Sequence, residues 1–242
     1  MSLSANSIIH LTPKDENLKG IIESGFITSL CKEKITLNKD PLEVYVPMVS
    51  FCDIPLSKIK DHISKYGSYG IGLTKDWAQK NSLNPVLYMQ QGSYLSKNVL
   101  EVLKRALSDE SSEWSKEEKQ TVDVLRYIKN YQDDLVRKDV TTPEYRFSDE
   151  REWRFVPGHE VECDFIFSSL SDKEREVAEL KLSTVKLTFE ASDIKYLITD
   201  KEEEISTLIR FLRETIARKC TLDEFERLTT RILTTEQIMS DV

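Results

Sequence analysis

Apolar residues recur along this chain in two rhythms. Near the start, Ile8-Ile9 is a short apolar run that passes through His10 to Thr12, and it predicts a strand over 5–12. Behind it, Leu18, Ile21 and Ile22 recur at helical spacing and predict a helix over 13–24. Thr12 takes the N-cap position, Pro13 the first helical position, Asp15 the first turn, and Gly25 the place just past the end. Strand patterns return in VYVPMVSFCDIP (44–55, interrupted at Pro47), YGIGLT, NPVLYM, REWRFVP, VKLTFE and IKYLIT. LSKIKDHISKYG predicts a short helix closed by Gly67, KDWAQKN predicts another, and residues 31–43 read as a polar loop.

The middle of the chain changes rhythm. Residues 94–107 put Val99, Val102, Leu103 and Ala106 on one helical face. Residues 115–138 do the same with Val124, Ile128, Tyr131 and Leu135, at steps of four, three and four. The polar SDESSE lies between them, so a helical hairpin inserted between strands at about 94–138 is expected. A helix over 201–218, with Ile205, Leu208, Ile209, Leu212 and Ile216 inward, leads to a charged C-terminal segment. There is no internal repeat and no low-complexity linker. A single α+β domain over 1–242, carrying that insertion, is the simplest account.

Composition narrows the setting. The 242 residues are enough for a sizeable core, and 39% hydrophobic with 31% charged content is ordinary for a globular chain. No apolar run approaches the roughly 20 residues that cross a bilayer, which argues against a membrane partner. The N-terminus has no basic region followed by an apolar stretch. Cys31, Cys52, Cys163 and Cys220 are scattered and form no CxxC pair, so free thiols in a reducing cytoplasm are expected. The net charge of −8 repels nucleic acid at long range, a weak argument that a local basic patch would override. His10, His62 and His159 have no metal-ligand spacing, and neither GxGxxG nor GxxxxGK[ST] occurs.

Three stretches could carry chemistry, and each has a plain structural alternative. His10-x-Thr12 could hold a ribose at a strand end, or be a hydrogen-bonded core histidine beside a helix-capping threonine. Tyr66-Gly67-Ser68-Tyr69-Gly70-x-Gly72 could stack a flat heteroaromatic ring against backbone that lets it approach closely, or be a helix-to-strand turn with half-buried tyrosines. In FSDEREWRF, strand alternation puts Glu150, Glu152 and Arg154 on one face and Arg151, Trp153 and Phe155 on the other. Two carboxylates there could grip a sugar hydroxyl and stabilise an oxocarbenium-like transition state, or form a solvated charged face over a buried tryptophan. Together the three stretches describe a nicotinamide-nucleotide pocket without a Rossmann motif.

HLTPKDENLKGIIESGFI resembles the opening of ADP-ribosyltransferase-fold proteins of the DarT and poly-ADP-ribose polymerase kind. YGSYGIGL resembles their aromatic- and glycine-rich second strand, and DEREWRF stands where their late glutamate strand would be. Over a longer span, SFCDIPLSKIKDHISKYGSYGIGLTKDW, NPVLY and FSDEREWRFVP resemble the AbiGi family of abortive phage resistance proteins, from His10 to the C-terminal segment. The first resemblance implies a split antiparallel sheet and NAD as substrate. It would set His10 and Thr12 at the ribose and amide, Tyr66 and Tyr69 beside the nicotinamide, and Ser68 in support. Glu152 would be catalytic and Glu150 would position the substrate, with the reverse assignment open. The helical insertion makes the spacing to the third element long, and no arginine follows the first strand as in the Arg-Ser-Glu transferases.

The resemblances imply two functions of different classes. One is an NAD-dependent mono-ADP-ribosyltransferase acting as an anti-phage toxin on a nucleic-acid or protein acceptor. The other is a non-catalytic antitoxin or sensor, which the family's antitoxin label favours. In either role a cognate toxin or antitoxin is the expected partner. Its docking surface would be the 94–138 hairpin, with Tyr94, Trp114, Tyr127 and Tyr131, unless those side chains simply pack within the chain. A glycoside hydrolase built on Glu150 and Glu152, roughly 7 Å apart at their backbones, is a third reading that no sugar-cleft pattern supports.

Overall fold

The apolar rhythm at the start of the chain is realised as sheet. The computed structural model describes residues 5–38, 41–108, 115, 117, 120, 123–137, 140–158, 166–167 and 170–241. Contacts divide the chain into two compact units, Met1–Thr28 with Val49–Leu83 and Ser183–Val242, and Ser29–Met48 with Asn84–Leu182. Each is assembled from discontinuous stretches, so no single cut in the chain separates them. The expected α+β class is the observed one, with several sheets and helices.

In the first unit, strand Ser7–Thr12 pairs antiparallel with Tyr69–Thr74, from Ser7↔Thr74 to Thr12↔Tyr69, and meets Cys52 through Ile9 on its other side. Strand Ile194–Thr199 adds antiparallel to Tyr69–Thr74, and Ile232–Thr234 adds parallel beyond it. Successive residues of a strand face opposite ways, so the burial of both Ile8 and Ile9 means that this strand is covered on both faces. One cover is the cluster of Ile9, Cys52, Ile54, Ile59, Ile63, Ile198 and Ile238.

The first helix runs Asp15–Ser24, starting two residues later than expected, with Lys14 at its N-cap and no side-chain cap. Thr12 stays in the strand because the residue before a proline is driven to extended backbone. Its Oγ1 accepts a hydrogen bond from Asn17 Nδ2 at 2.9 Å. Gly25 ends the helix with φ of +81°, as its place in the sequence predicts. The expected 201–218 helix is a 3-10 turn at Glu202–Glu204 followed by the α-helix Ile205–Thr215. Its Leu208 and Leu212, with Ile216 beyond it, are buried, and Ile205 and Ile209 are half-buried.

The second unit contains the larger departures. Residues 31–43 are not a polar loop. Strand Ser29–Ile35 pairs with Leu42–Cys52 from Ser29↔Met48 to Ile35↔Leu42. Leu30 and Ile35 are buried while Lys32 and Lys34 are exposed, so charged residues on the outer face hid the strand signal. Pro47 does not interrupt its strand; it lies opposite Leu30 within an unbroken eleven-residue run.

Only the first arm of the expected hairpin is helical in full, as Tyr94–Ser108. In the second arm, Val124–Tyr127 is a 3-10 turn and Ile128–Asn130 a strand parallel to Leu87–Met89. Asp133–Arg137 is a strand antiparallel to Val140–Tyr145. Tertiary pairing overrides the helical periodicity here: Ile128 and Leu125 enter a core with Ile35, Leu37, Val44, Val46, Met48, Met89 and Leu103. Buried Asn130 pins the neighbouring strands, accepting from Thr36 N at 2.8 Å and donating to Lys34 O and Asp133 Oδ2 at 3.1 and 2.8 Å. Trp114, His159 and Cys163 lie outside the described residues.

Gly67 ends the second helix, Lys60–Tyr66, with φ of +127°, and a Cβ there would meet Thr12 O at 2.3 Å and Pro13 Cα at 2.4 Å. Both contacts are backbone and cannot yield. Gly67→Ala is therefore expected to destabilise the fold by about 2 kcal/mol or more. Gly20→Ala, in mid-helix with open space around it, is expected to stabilise it by about 0.5–1 kcal/mol. Urea unfolding of the two variants checks both signs.

Candidate functional site

Strand Glu152–Phe155 alternates as its sequence requires, with the charged face turned inward. Glu150, Glu152 and Arg154 are 4%, 5% and 0% exposed, while Trp153 and Phe155 are only half-buried. The solvated charged face over a buried tryptophan is thus reversed. A strand can bury three charges only if they are paired. Arg154 Nε donates to Glu152 Oε1 at 2.6 Å, its Nη2 reaches Glu152 Oε2 at 3.2 Å and Glu33 Oε1 at 3.1 Å, and its Nη1 donates to Arg126 O at 2.9 Å.

Lys129 completes the group. Its Nζ lies 2.7 Å from Glu152 Oε2 and 3.1 Å from Glu150 Oε2, and 5.0 Å from the centre of the Phe147 ring. The 3-10 turn Phe147–Glu150 and the left-handed Arg151 (φ +48°) after it aim Glu150 at the same lysine as Glu152. Glu152 N–H donates to Tyr88 Oη at 2.8 Å, which holds the start of the strand. Burial works against the charged forms of Glu152, Lys129 and Arg154, but their neighbours outweigh it. Lys129 and Arg154 hold the Glu152 carboxyl far below the ordinary carboxylate range. Glu152, Glu33 and Glu150 keep Lys129 protonated well above its usual value.

Sequence reasoning named Glu150 and Glu152 and did not find Lys129 or Glu33. Lys129 sat inside an expected helix and Glu33 inside an expected loop, so neither had a pattern to mark it. Chemically, the group is three carboxylates facing two cations, which leaves Glu152 a counter-ion on both of its oxygens. Among the described residues no cluster of His, Cys, Asp or Glu could hold a metal ion.

The other five candidates lie in the first unit, and each has a structural contact there. His10 Nδ1–H donates to Ser50 O at 2.8 Å, and its ring stands edge-on to Phe26 and Phe51, 5.3 and 5.7 Å between centroids. Burial lowers its pKa, against a smaller opposite pull from Ser50, so the imidazole is neutral. Tyr66 stacks on His62 at 5.7 Å and 16°. Ser68 O accepts from Thr235 Oγ1 at 2.7 Å. Tyr69 Oη donates to Glu204 at 3.0 Å, and burial followed by that carboxylate pushes its hydroxyl up to about 12. The two glycines are filled from within the chain. A Cβ at Gly70 would meet Leu11 Cδ2 at 2.8 Å, and one at Gly72 would meet the Tyr196 ring at 2.8 Å. The close approach they permit in this structure is that of neighbouring strands.

Two stability measurements follow. Glu152→Gln leaves Arg154 and Lys129 short of a buried counter-charge and is expected to cost about 3 kcal/mol. The Glu152 carboxyl is depressed in the fold, so its contribution is whole above the unfolded value of 4.5 and is lost as pH falls below it. The loss runs from 4.5 down toward the much lower folded value, so wild type should already lose more stability than Glu152→Gln between about pH 6 and about pH 3. His10 also titrates lower in the fold than its ordinary 6.5, so acidification through 6.5 favours the unfolded chain. Urea unfolding of His10→Gln should show a smaller loss than wild type as pH drops from about 7 to about 5.

Comparison with known proteins bears on the whole chain. The family model described as "Putative abortive phage resistance protein AbiGi, antitoxin" matches residues 24–200. The chain is 28% identical over 235 residues to the abortive phage resistance protein AbiGi of Lactococcus lactis subsp. cremoris, covering 86% of this chain and 94% of that one. No solved structure matches significantly. The matched span contains the paired strands Ser29–Ile35 and Leu42–Cys52 and the Glu33, Lys129, Glu150, Glu152 and Arg154 group, and on that extent the chain belongs to the AbiGi family of abortive phage resistance proteins.

Proposed function

We propose that this chain is a non-catalytic antitoxin of an abortive-infection pair, acting by binding its cognate toxin as a protein partner. The observation that carries the reading is the state of Glu152, 5% exposed and bridged on both oxygens by Arg154 and Lys129. A carboxylate that stabilises positive charge at an anomeric carbon must face the sugar. This one faces two cations already within 2.6 and 2.7 Å, and freeing it would strip each of its shorter ion pair, leaving Glu33 and Glu150 at 3.1 Å to answer them. The antitoxin description of the family model supports the same role. No helix among the described residues is long and apolar enough to cross a membrane, which is consistent with work on a cytoplasmic partner.

A second reading keeps one observation in its favour. Glu150 and Glu152 converge on a single point, Lys129 Nζ, as two carboxylates of an ADP-ribosyltransferase-like fold would converge on a substrate. On that reading Lys129 holds the place of the positive charge that develops when nicotinamide leaves NAD. ADP-ribose would then pass to a nucleic-acid or protein acceptor.

Two linked measurements separate the readings. Under the antitoxin reading, the chain expressed alone leaves growth unchanged, expression beside the product of the adjacent gene restores growth which that product suppresses, and the purified chain releases no nicotinamide from NAD. Growth arrest by the chain alone, lost in a folded Glu152→Gln variant together with nicotinamide release, would overturn it in favour of the transferase.

A further inference from the structure

The ammonium of Lys129 meets Glu152 Oε2 at 2.7 Å, Glu150 Oε2 at 3.1 Å and the Phe147 ring at 5.0 Å from its centre. Two carboxylates and an aromatic ring hold one cation by charge, hydrogen bonds and the ring quadrupole together. Each of these three groups is also held by something other than the lysine. Arg154 grips both Glu152 oxygens, with Nε on Oε1 at 2.6 Å and Nη2 on Oε2 at 3.2 Å, and Tyr88 Oη accepts from the Glu152 backbone N–H. Glu150 ends the 3-10 turn Phe147–Glu150, behind which Arg151 N donates to Ser148 O at 3.3 Å. Tyr145 braces the Phe147 ring edge-on, at 5.1 Å and 86°.

The backbone of Lys129 is anchored separately. It stands opposite Tyr88 in the parallel pairing of Ile128–Asn130 with Leu87–Met89, and the next residue, Asn130, is pinned to Thr36, Lys34 and Asp133. The lysine stem therefore joins two parts of the unit that other interactions already fix. Its side chain is 15% exposed, against 5% and 6% for those of Glu150 and Glu152, so the group opens to solvent on the side of the lysine.

We propose that Glu150, Glu152 and the Phe147 ring form a preorganised site for a primary alkylammonium, which the chain fills with its own Lys129. The lysine acts as a tethered ligand. Tethering gives its ammonium a high effective concentration, which excludes amines in solution from the wild-type site. Truncation at Cβ, as in Lys129→Ala, deletes the heavy atoms of one propylammonium ion and leaves a space of that size beside the two carboxylates. Free propylammonium carries the same charge and the same three N–H donors into that space. The site is closed by the chain's own cation whichever protein the chain binds, so its existence depends on neither functional reading above.

The test uses the full chain in amine-free buffer, with wild type beside Lys129→Ala and Lys129→Met, melted in about 0.1 M propylammonium chloride or about 0.1 M potassium chloride. Lys129→Ala is expected to melt below wild type, and propylammonium to raise its midpoint by about 2–5 °C over potassium. If the alanine variant does not fold in potassium, propylammonium is expected to restore a cooperative melt. Wild type keeps its tethered ligand, and Lys129→Met fills the space of the stem with an uncharged chain, so neither should respond. Adding Glu150→Gln to Lys129→Ala removes one carboxylate and should reduce the shift. Equal melting of Lys129→Ala in the two salts, folded or not, would overturn the site. An equal shift in wild type or in Lys129→Met, or an undiminished one after Glu150→Gln, would do the same, because the amine would then be acting elsewhere.

Discussion

The second unit depends on Arg154. Its side chain is wholly buried and touches Glu152 in its own strand, Glu33 in strand Ser29–Ile35, and the backbone of Arg126 in the turn before strand Ile128–Asn130. A buried guanidinium has several donors in a fixed plane, and every donor left empty costs free energy. The three segments must therefore meet it in one register. Desolvating ions costs several kcal/mol apiece, so the group adds less to stability than its short distances suggest. Its effect is on uniqueness, since a one-residue slip in any of these strands would turn a buried charge toward water and an exposed one toward the core.

The first unit solves its packing with aromatic rings. Phe26, Phe51, Trp77, Phe189 and the neutral ring of His10 stand edge-on or tilted to one another, with centroids 5.0 to 6.1 Å apart. His10 Nδ1 settles on Ser50 O and Trp77 Nε1 on Thr188 O at 2.9 Å, both of them backbone carbonyls. A protonated imidazole in this setting would face rings and a carbonyl with no carboxylate within hydrogen-bond reach among the described residues. That is why burial lowers its pKa, and why the histidine serves as a hydrogen-bonded core group.

Legibility in the sequence followed the range of the interactions. Strands Tyr69–Thr74 and Ile194–Thr199, and the helix ends at Gly25 and Gly67, could be read because apolar runs and glycine conformations are local. Strand Ser29–Ile35 could not, because its outer face is lysine and its partner strand begins beyond a loop. Residues 124–137 have an apolar spacing that fits a helix, yet pairing of Ile128–Asn130 with Leu87–Met89 decided otherwise, and no local pattern reports a partner forty residues away. At the candidate site, alternation placed Glu152 and Arg154 on one face correctly. Whether that face looks in or out depended on Lys129, 23 residues from Glu152, and on Glu33, which was hidden in the unread strand.

The same reasoning separates catalytic from structural carboxylates more generally. A pair of glutamates on one strand face is an ambiguous motif, since acid chemistry and ion pairing both require it. What distinguishes them is the charge that answers the pair. In a working site, at least one oxygen is left for the substrate. Here both Glu152 oxygens are taken by cations of the chain itself, which hold the carboxyl far below the ordinary carboxylate range. The charge is spent inward, on fold.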